Sequence, residues 1–200
     1  MSDATAQNET LPVGGSGPVS TAWWGVICLI ATEGILFVYL IFSYAYLGTQ
    51  QSGPWPPSGP PSLRLALPNT AILVGSSVLL WWGLRNFRRT VNRRRLALVL
   101  GGTFALGTIF VTIQGFEWAG KPFVFSTNSY SAIFFLLTGL HMAHVIAGLL
   151  MLAMLLLWTL MGRFDDAHHE HLPLGGLYWH FVDVVWLAVL TTVYLVPQFT

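Results

Sequence analysis

The stretch LYWHFVDVVWLAVLTTVYLV, residues 177–196, decides the fold because it is long and apolar enough to cross a membrane as one helix. A bilayer core about 30 Å thick requires roughly 20 apolar residues in helical conformation. Lipid offers no water to the backbone polar groups, so such a stretch must pair them internally as an α-helix. His180 and Asp183 nevertheless lie within this run, and their presence there has to be explained.

The composition of the whole chain is typical of a membrane protein. Of the 200 residues, 54% are hydrophobic and 8% are charged, whereas soluble domains carry roughly 25% charged residues. Nine Lys and Arg balance eight Asp and Glu, and this near-neutral charge gives no footprint for nucleic acid. The single cysteine, Cys28, excludes an intrachain disulfide.

Five apolar stretches are long enough to span a bilayer, and they predict an all-α, polytopic membrane protein built as a five-transmembrane-helix bundle. We expect one transmembrane domain over residues 21–200, preceded by a flexible cytoplasmic tail over residues 1–20, which is polar and rich in Gly, Ser and Pro. The predicted helices cover residues 22–47, 69–87, 96–118, 130–161 and 176–196.

The connections predict the orientation. Residues 85–95 hold six of the nine basic residues, and the positive-inside rule places that loop in the cytoplasm. The N-terminus is then cytoplasmic and the C-terminus extracytoplasmic, in a multi-pass protein that we expect in the bacterial plasma membrane. Residues 53–62 contain five prolines and predict a non-helical cap on the extracytoplasmic side.

Small residues recur at steps of three and four on two of the predicted helices, and they predict the faces where helices approach closely. On the third helix these are Gly101, Ala105, Thr108, Thr112, Gly115 and Ala119, and on the fourth they are Gly139, Ala143 and Ala147.

Ionisable side chains inside predicted spans are the candidate functional residues, because a charge at the bilayer centre costs about 2.5–3.5 kcal/mol on insertion scales. We expect them to be buried, polar or proton-related residues, not ligands of a metal. They are Glu33, Glu117, His141, His144, His180 and Asp183.

Each of these residues has a structural and a functional interpretation. Glu33 is either a proton-active carboxyl or a protonated one that hydrogen bonds to a neighbouring helix. Gln114 and Glu117 lie near a helix end and predict water-accessible polar contacts. His141 and His144 share a helical face, and hydrogen bonding between helices is favoured over a metal site, which would need further ligands.

Two further groups of residues also have both a structural and a functional interpretation. His180 and Asp183 are three residues apart, so that their side chains meet on one helical face, as structural glue or as a step in a proton path. The loop DDAHHEHLP, residues 165–173, has the composition of a zinc site, and a solvated cytoplasmic loop is the favoured interpretation.

Several motifs together resemble one family. YWHFVDVVW (178–186) resembles the last helix of the cytochrome c oxidase subunit III family, and the segment YSAIFFLLTGLHMAHV (130–145) resembles its helix with two histidines. Further motifs follow in the family's order, which makes the resemblance specific. They are ATEGILF (31–37), WPP (55–57), PNT (68–70) and QGFEW (114–118).

The resemblance implies a subunit of a haem-copper terminal oxidase, the complex that reduces dioxygen to water and pumps protons. It implies that partner subunits I and II hold the haem and copper, while this chain has no catalytic residue, cofactor or metal of its own. It also implies bound phospholipid, stabilisation of subunit I, support of proton uptake, and cytochrome c as electron donor to the complex. Trp55, Tyr178, Trp179 and Trp186 are expected at a lipid or subunit interface.

The chain departs from the family pattern in three places, of which one is the loop 165–173, richer in histidine than the family pattern. Longer members have two further helices before the first one predicted here, so we expect their lipid cleft to be open or filled by another subunit. Ala143 replaces the glycine between the two histidines. The alternatives are a quinol oxidase subunit III, an accessory protein of nitric oxide reductase, a stand-alone proton channel or transporter, and a haem-binding membrane cytochrome. The WPP motif at residues 55–57 favours the cytochrome c branch.

Overall fold

The structure, a computed structural model, describes residues 21–87, 92–162 and 171–199, and within these ranges it contains helices and loops but no strand. The predicted tail 1–20, part of the basic loop 85–95 and residues 165–170 of the histidine-rich loop lie outside the described residues.

Five long helices make up most of the described chain, as predicted. Each is long and apolar enough to cross a membrane, which confirms the all-α, five-span fold. They are α1 (Thr21–Gln50), α2 (Leu63–Phe87), α3 (Arg93–Ala119), α4 (Ser129–Met161) and α5 (His171–Leu190). After α5 the chain continues through a π-helical turn, Thr191–Leu195, and a 3-10 turn, Val196–Gln198.

Two helices begin five or six residues earlier than predicted, because a proline near a helix start does not end the helix. α2 begins at Leu63, six residues before the predicted start, and Pro68 lies inside it. Residues 63–67 are strong helix formers, and only one intrahelical hydrogen bond is lost to the proline nitrogen. α5 likewise begins at His171 with Pro173 in its first turn, where the missing N–H has no intrahelical partner.

The end of α4 is fastened to the start of α3. Gly162 follows α4 with a φ of 74°, a left-handed conformation that favours glycine. The Arg93 guanidinium donates hydrogen bonds to the carbonyl oxygens of Thr159 and Leu160. The last carbonyls of a helix have no N–H four residues further on within the helix; that of Thr159 also accepts from the Gly162 N–H at 3.3 Å. A cation there complements the helix dipole. Arg93 therefore joins the two helices.

α1 is the most open helix of the bundle. α2 packs on α3, α3 on α4, and α5 packs against α2 and α4, whereas α1 packs mainly on α4 and α5. Only Phe37, Leu40 and Tyr44 of α1 are buried. One whole side of α1 is therefore free of contacts within the described chain.

The predicted contact faces are largely wrong. Ala105, Thr108, Thr112, Gly115 and Ala119 are exposed, as are Ala143 and Ala147 on α4. The Thr108 and Thr112 hydroxyls donate to carbonyls one turn earlier in their own helix, so this face needs no polar partner. The residues that α3 does bury are Leu96, Val99, Leu100, Thr103, Gly107, Phe110, Gln114 and Glu117.

Close approach occurs instead where a bulky side chain meets a glycine of another helix. Trp179 of α5 lies between Gly107 of α3 and Gly148 of α4, and a Cβ atom at either glycine would come within 2.7 Å or 2.9 Å of its ring. The Trp179 Nε1–H donates to the Ser76 hydroxyl of α2 at 3.0 Å. One indole thus connects four helices at the centre of the bundle.

Candidate functional site

The clearest contact between ionisable groups joins α1 to α4. His144 Nε2 lies 3.0 Å from Glu33 Oε2, and the two side chains are 16% and 28% exposed. The pair is thus close to the surface of the bundle without being fully solvated. The structure brings Glu33 to a neighbouring helix, in the geometry that either of its two interpretations requires.

The hydrogen bonds of His144 limit the protonation states of this pair. The ring atom Nδ1 lies 2.7 Å from the Leu140 carbonyl oxygen, which can only accept, so Nδ1 carries a proton. The short contact between Nε2 and Glu33 Oε2 then contains one further proton. It belongs either to a neutral carboxyl that donates to a neutral imidazole or to an imidazolium that donates to a carboxylate. Both states have a net charge of zero and differ only in the position of that proton.

Aromatic groups cover the buried side of this pair. The Phe37 ring centroid lies 5.1 Å from that of His144, and the Tyr178 hydroxyl donates to the His144 carbonyl oxygen at 3.5 Å. Tyr178 itself is half-buried. The arrangement can therefore hold a proton at the seam between α1 and α4.

His141 serves a different contact, although it shares a helical face with His144. It is 1% exposed, and its Nε2–H donates to the Val182 carbonyl oxygen of α5 at 3.2 Å. Its ring lies 4.8 Å from that of Trp186, centroid to centroid. The two histidines thus have separate partners, and the described residues contain no group of three metal-ligating side chains.

Glu117 lies in a closed polar cluster at the end of the bundle that carries the proline-rich loop 53–62. Its Oε1 accepts from Lys121 Nζ at 2.9 Å and from the Tyr194 hydroxyl at 2.9 Å. The Lys121 ammonium also lies over the rings of Phe134 and Tyr194. Gln114 is 1% exposed, so the expectation of water-accessible contacts is wrong for it. Glu117 is 7% exposed, and with Lys121 it lines a pocket of about 330 Å³ beside the proline-rich loop. Tyr194, in the π-helical turn at 191–195, completes the cluster.

His180 and Asp183 of α5 have different surroundings. His180 Nδ1 is 3.2 Å from Ser77 Oγ of α2, whereas Asp183 is 6% exposed and its Oδ1 is buried without a hydrogen-bond partner. Within the described residues no ion pair joins His180 directly to Asp183. The sequence around Ser77 does not mark it as the partner of His180.

The four predicted interface residues divide into two groups. Trp179 and Trp186 are 0% exposed, so their assignment to a lipid or subunit interface is wrong. Both rings lie inside the bundle, and the Trp186 Nε1–H donates to the Thr70 hydroxyl at 2.9 Å. Trp55 and Tyr178 are only partly buried. The Trp55 ring packs edge-on against those of Tyr44 and Tyr130, and this fastens the proline-rich loop to α1 and α4.

Comparisons with known proteins agree on one family. The sequence model described as "Cytochrome c oxidase subunit III" matches residues 18–197. Cytochrome c oxidase subunit 3 of Myxine glutinosa is 36% identical over 179 residues, which cover 86% of this chain and 68% of that protein. The subunit 3 proteins of Drosophila melanogaster and Pan troglodytes are each 33% identical over 178 residues, with the same coverage.

Proposed function

The chain belongs to the cytochrome c oxidase subunit III family, and from that premise we propose that it is a non-redox subunit that sustains proton uptake by the oxidase. It assembles with subunits I and II, which hold the haem and copper, in a complex that takes electrons from cytochrome c, reduces dioxygen and pumps protons. The chain stabilises subunit I and binds phospholipid. It lies in the bacterial plasma membrane with its N-terminus in the cytoplasm, on the side of the basic loop 85–95.

The observation that carries this proposal is the contact between Glu33 and His144. A carboxyl and an imidazole 3.0 Å apart, with Nδ1 bonded to a carbonyl, share one proton at no cost in net charge. When this proton leaves the pair and another replaces it, the pair passes a proton on, and such a pair at the edge of the bundle supports proton delivery to a neighbouring subunit. Glu117, His141 and His180 instead make contacts within the bundle.

The open side of α1 supports the proposals of lipid and subunit binding. Ile35, Val38, Tyr39 and Phe42 are between 64% and 71% exposed, and in a membrane such a face contacts acyl chains or another helix. We place bound phospholipid along this face. Trp55 and Tyr178, at its two ends, remain the proposed contacts with headgroups or a partner subunit.

Purification of the full chain from its own membranes tests the assignment. We expect haem-containing and dinuclear-copper subunits to co-purify, an optical spectrum with haem bands, and oxygen consumption with reduced cytochrome c. A complex without the copper subunit that consumes oxygen with quinol would indicate a quinol oxidase instead.

A second measurement distinguishes an oxidase subunit from a stand-alone channel. The purified chain in phospholipid vesicles should show no proton flux above that of empty vesicles. Flux that Glu33→Gln abolishes would reject the subunit role and support a channel.

A further inference from the structure

The pocket of about 330 Å³ beside the proline-rich loop has the size and composition of a ligand site. It lies between that loop and the adjoining ends of α3 and α4. Glu117 and Lys121 are the only charged residues in its wall, and the others are prolines, glycines, serines, a leucine and aromatic residues. Ligand sites are typically concave and mostly apolar, with a few polar groups that fix the orientation of the ligand.

Both charged residues of the wall have hydrogen-bonding capacity that the described chain does not use. An ammonium has three N–H donors, whereas Lys121 Nζ has one oxygen acceptor among the described residues, Glu117 Oε1 at 2.9 Å. Glu117 Oε2 accepts no hydrogen bond from any described residue. Because the ion pair as a whole is neutral, it favours neither a purely anionic nor a purely cationic ligand. A ligand that carries one charge of each sign matches both halves of the pair.

The aromatic part of the wall suits a positively charged group. Phe116, Phe123 and Tyr130 all line the pocket, and aromatic faces attract ammonium groups. Phe116 and Leu65 are also 71% and 49% exposed. The pocket thus adjoins an apolar surface of α2 and α3 that contacts acyl chains in a membrane.

The position of the pocket along α3 corresponds to the headgroup region of a bilayer. α3 has 27 residues, which is about 40 Å at 1.5 Å per residue, and the apolar core of a bilayer is only about 30 Å thick. Glu117 lies in the last turn of α3, and Lys121 follows its end. The two charges therefore lie where lipid headgroups begin.

We propose that this pocket binds the headgroup of a zwitterionic phospholipid from the leaflet on the side of the proline-rich loop. The phosphate lies beside Lys121, and the ammonium lies beside Glu117 and the aromatic rings, so that the headgroup complements the ion pair with opposite polarity. None of the wall residues belongs to α1. The site is therefore distinct from the lipid-binding face proposed on α1, and it does not depend on the assignment to an oxidase.

Native mass spectrometry of the full chain, purified with its accompanying subunits and stripped of lipid, tests the site. The probes are phosphatidylethanolamine and phosphatidylglycerol with the same acyl chains. We expect one phosphatidylethanolamine to bind on the order of tenfold more tightly to the wild type than to Ser58→Trp, whose indole fills the pocket, since one hydrogen bond to a charged group contributes about that much. Phosphatidylglycerol should bind equally to both proteins.

Matched variants separate the pocket from other lipid contacts. Ser52→Trp changes an exposed serine of the loop before Trp55 that does not line the pocket, and it should bind lipid as the wild type does. Ser62→Trp fills the pocket from its other end and supplies the answer if Ser58→Trp does not fold. The double variant Glu117→Gln with Lys121→Gln removes both charges together and should lose the preference for phosphatidylethanolamine.

Two results would overturn the proposal. One is equal binding of phosphatidylethanolamine to the wild type and to both pocket-filling variants, or of both lipids to the wild type. The other is displacement of the bound lipid by glycerophosphoethanolamine at the concentration at which the lipid itself binds, which would identify a water-soluble ligand instead of a lipid.

Discussion

Two polar regions of the bundle differ in how they hold a carboxyl group. In the closed cluster of Glu117, Lys121 and Tyr194, the carboxyl is 7% exposed and accepts from an ammonium and a phenol. At the open seam between α1 and α4, Glu33 is 28% exposed and has His144 as its partner. The same residue type thus occupies a buried position with two donors and a position at the edge of the bundle.

The partner determines what each carboxyl can do. The Lys121 ammonium lies over two aromatic rings and forms an ion pair with Glu117 at 2.9 Å. Glu33 instead faces an imidazole nitrogen at 3.0 Å, and one proton can lie on either of these two atoms. We infer that the closed cluster stabilises the fold, whereas the open seam is free to carry function.

Removing the Glu117 carboxyl should have the largest effect on stability. In Glu117→Ala the Lys121 ammonium and the Tyr194 hydroxyl lose their acceptor inside the bundle, and we expect a loss of about 3–5 kcal/mol, as for other broken buried pairs. Unfolding of the purified protein in detergent measures it. The double variant Glu117→Ala with Lys121→Met should recover part of the loss, because it leaves no unpaired charge. A loss below about 1 kcal/mol would mean that the Glu117–Lys121 ion pair contributes no more to stability than a solvent-exposed pair does.

A methyl group at the centre of the bundle should have the next largest effect. The Cβ of Gly107→Ala would lie 2.7 Å from the Trp179 ring and 2.8 Å from Leu149, and we expect overpacking to cost about 1–3 kcal/mol. Gly115→Ala is the matched control on the same helix, since nothing lies within 4 Å of its added methyl. Thermal unfolding measures the stability of both variants. Equal stability would mean that the side chains around Trp179 can rearrange to accommodate the added methyl group.

The sequence predicts the helices well because membrane spanning imposes a length and an apolar composition on each one. It predicts the contact faces poorly. Small residues at steps of three and four include Thr112 and Gly115, which face outwards. The same rule does not identify Gly107 and Gly148 as the glycines against which Trp179 packs. Which small residue meets a bulky one depends on how another helix is oriented, and that information is not local to either helix.

In the candidate site, too, the sequence predicts individual residues but not the contacts between them. An ionisable residue in an apolar run is recognisable by itself, so Glu33 and Asp183 can be identified from sequence. The partner of Glu33, His144, lies 111 residues away, and the partner of His180, Ser77, lies on another helix, and no spacing rule connects such positions. Tyr194 reaches Glu117 from beyond the regular part of α5. The sequence thus reveals the groups that need a partner, and only the packing of the helices reveals which partner each one has.

The smallest effect on stability, and the sharpest test of the open seam, is expected for Glu33→Gln. The amide can still donate to His144 Nε2, and partly exposed pairs contribute only about 0–1 kcal/mol, so the fold should be retained. The amide cannot exchange a proton, however. We therefore expect the oxidase complex to start with oxygen consumption near that of the wild type and then to lose activity faster during sustained turnover.

Thr32→Val is the control for this last variant, since Thr32 is exposed on the same helix and its hydroxyl bonds only to carbonyls of Cys28 and Leu29. It should match the wild type in stability and in working life. A stability loss in Glu33→Gln as large as that in Glu117→Ala would remove the distinction between the two regions. An initial rate reduced as strongly as the working life would instead assign Glu33 a direct part in each turnover, because a residue that only replenishes protons is not needed for the first cycles.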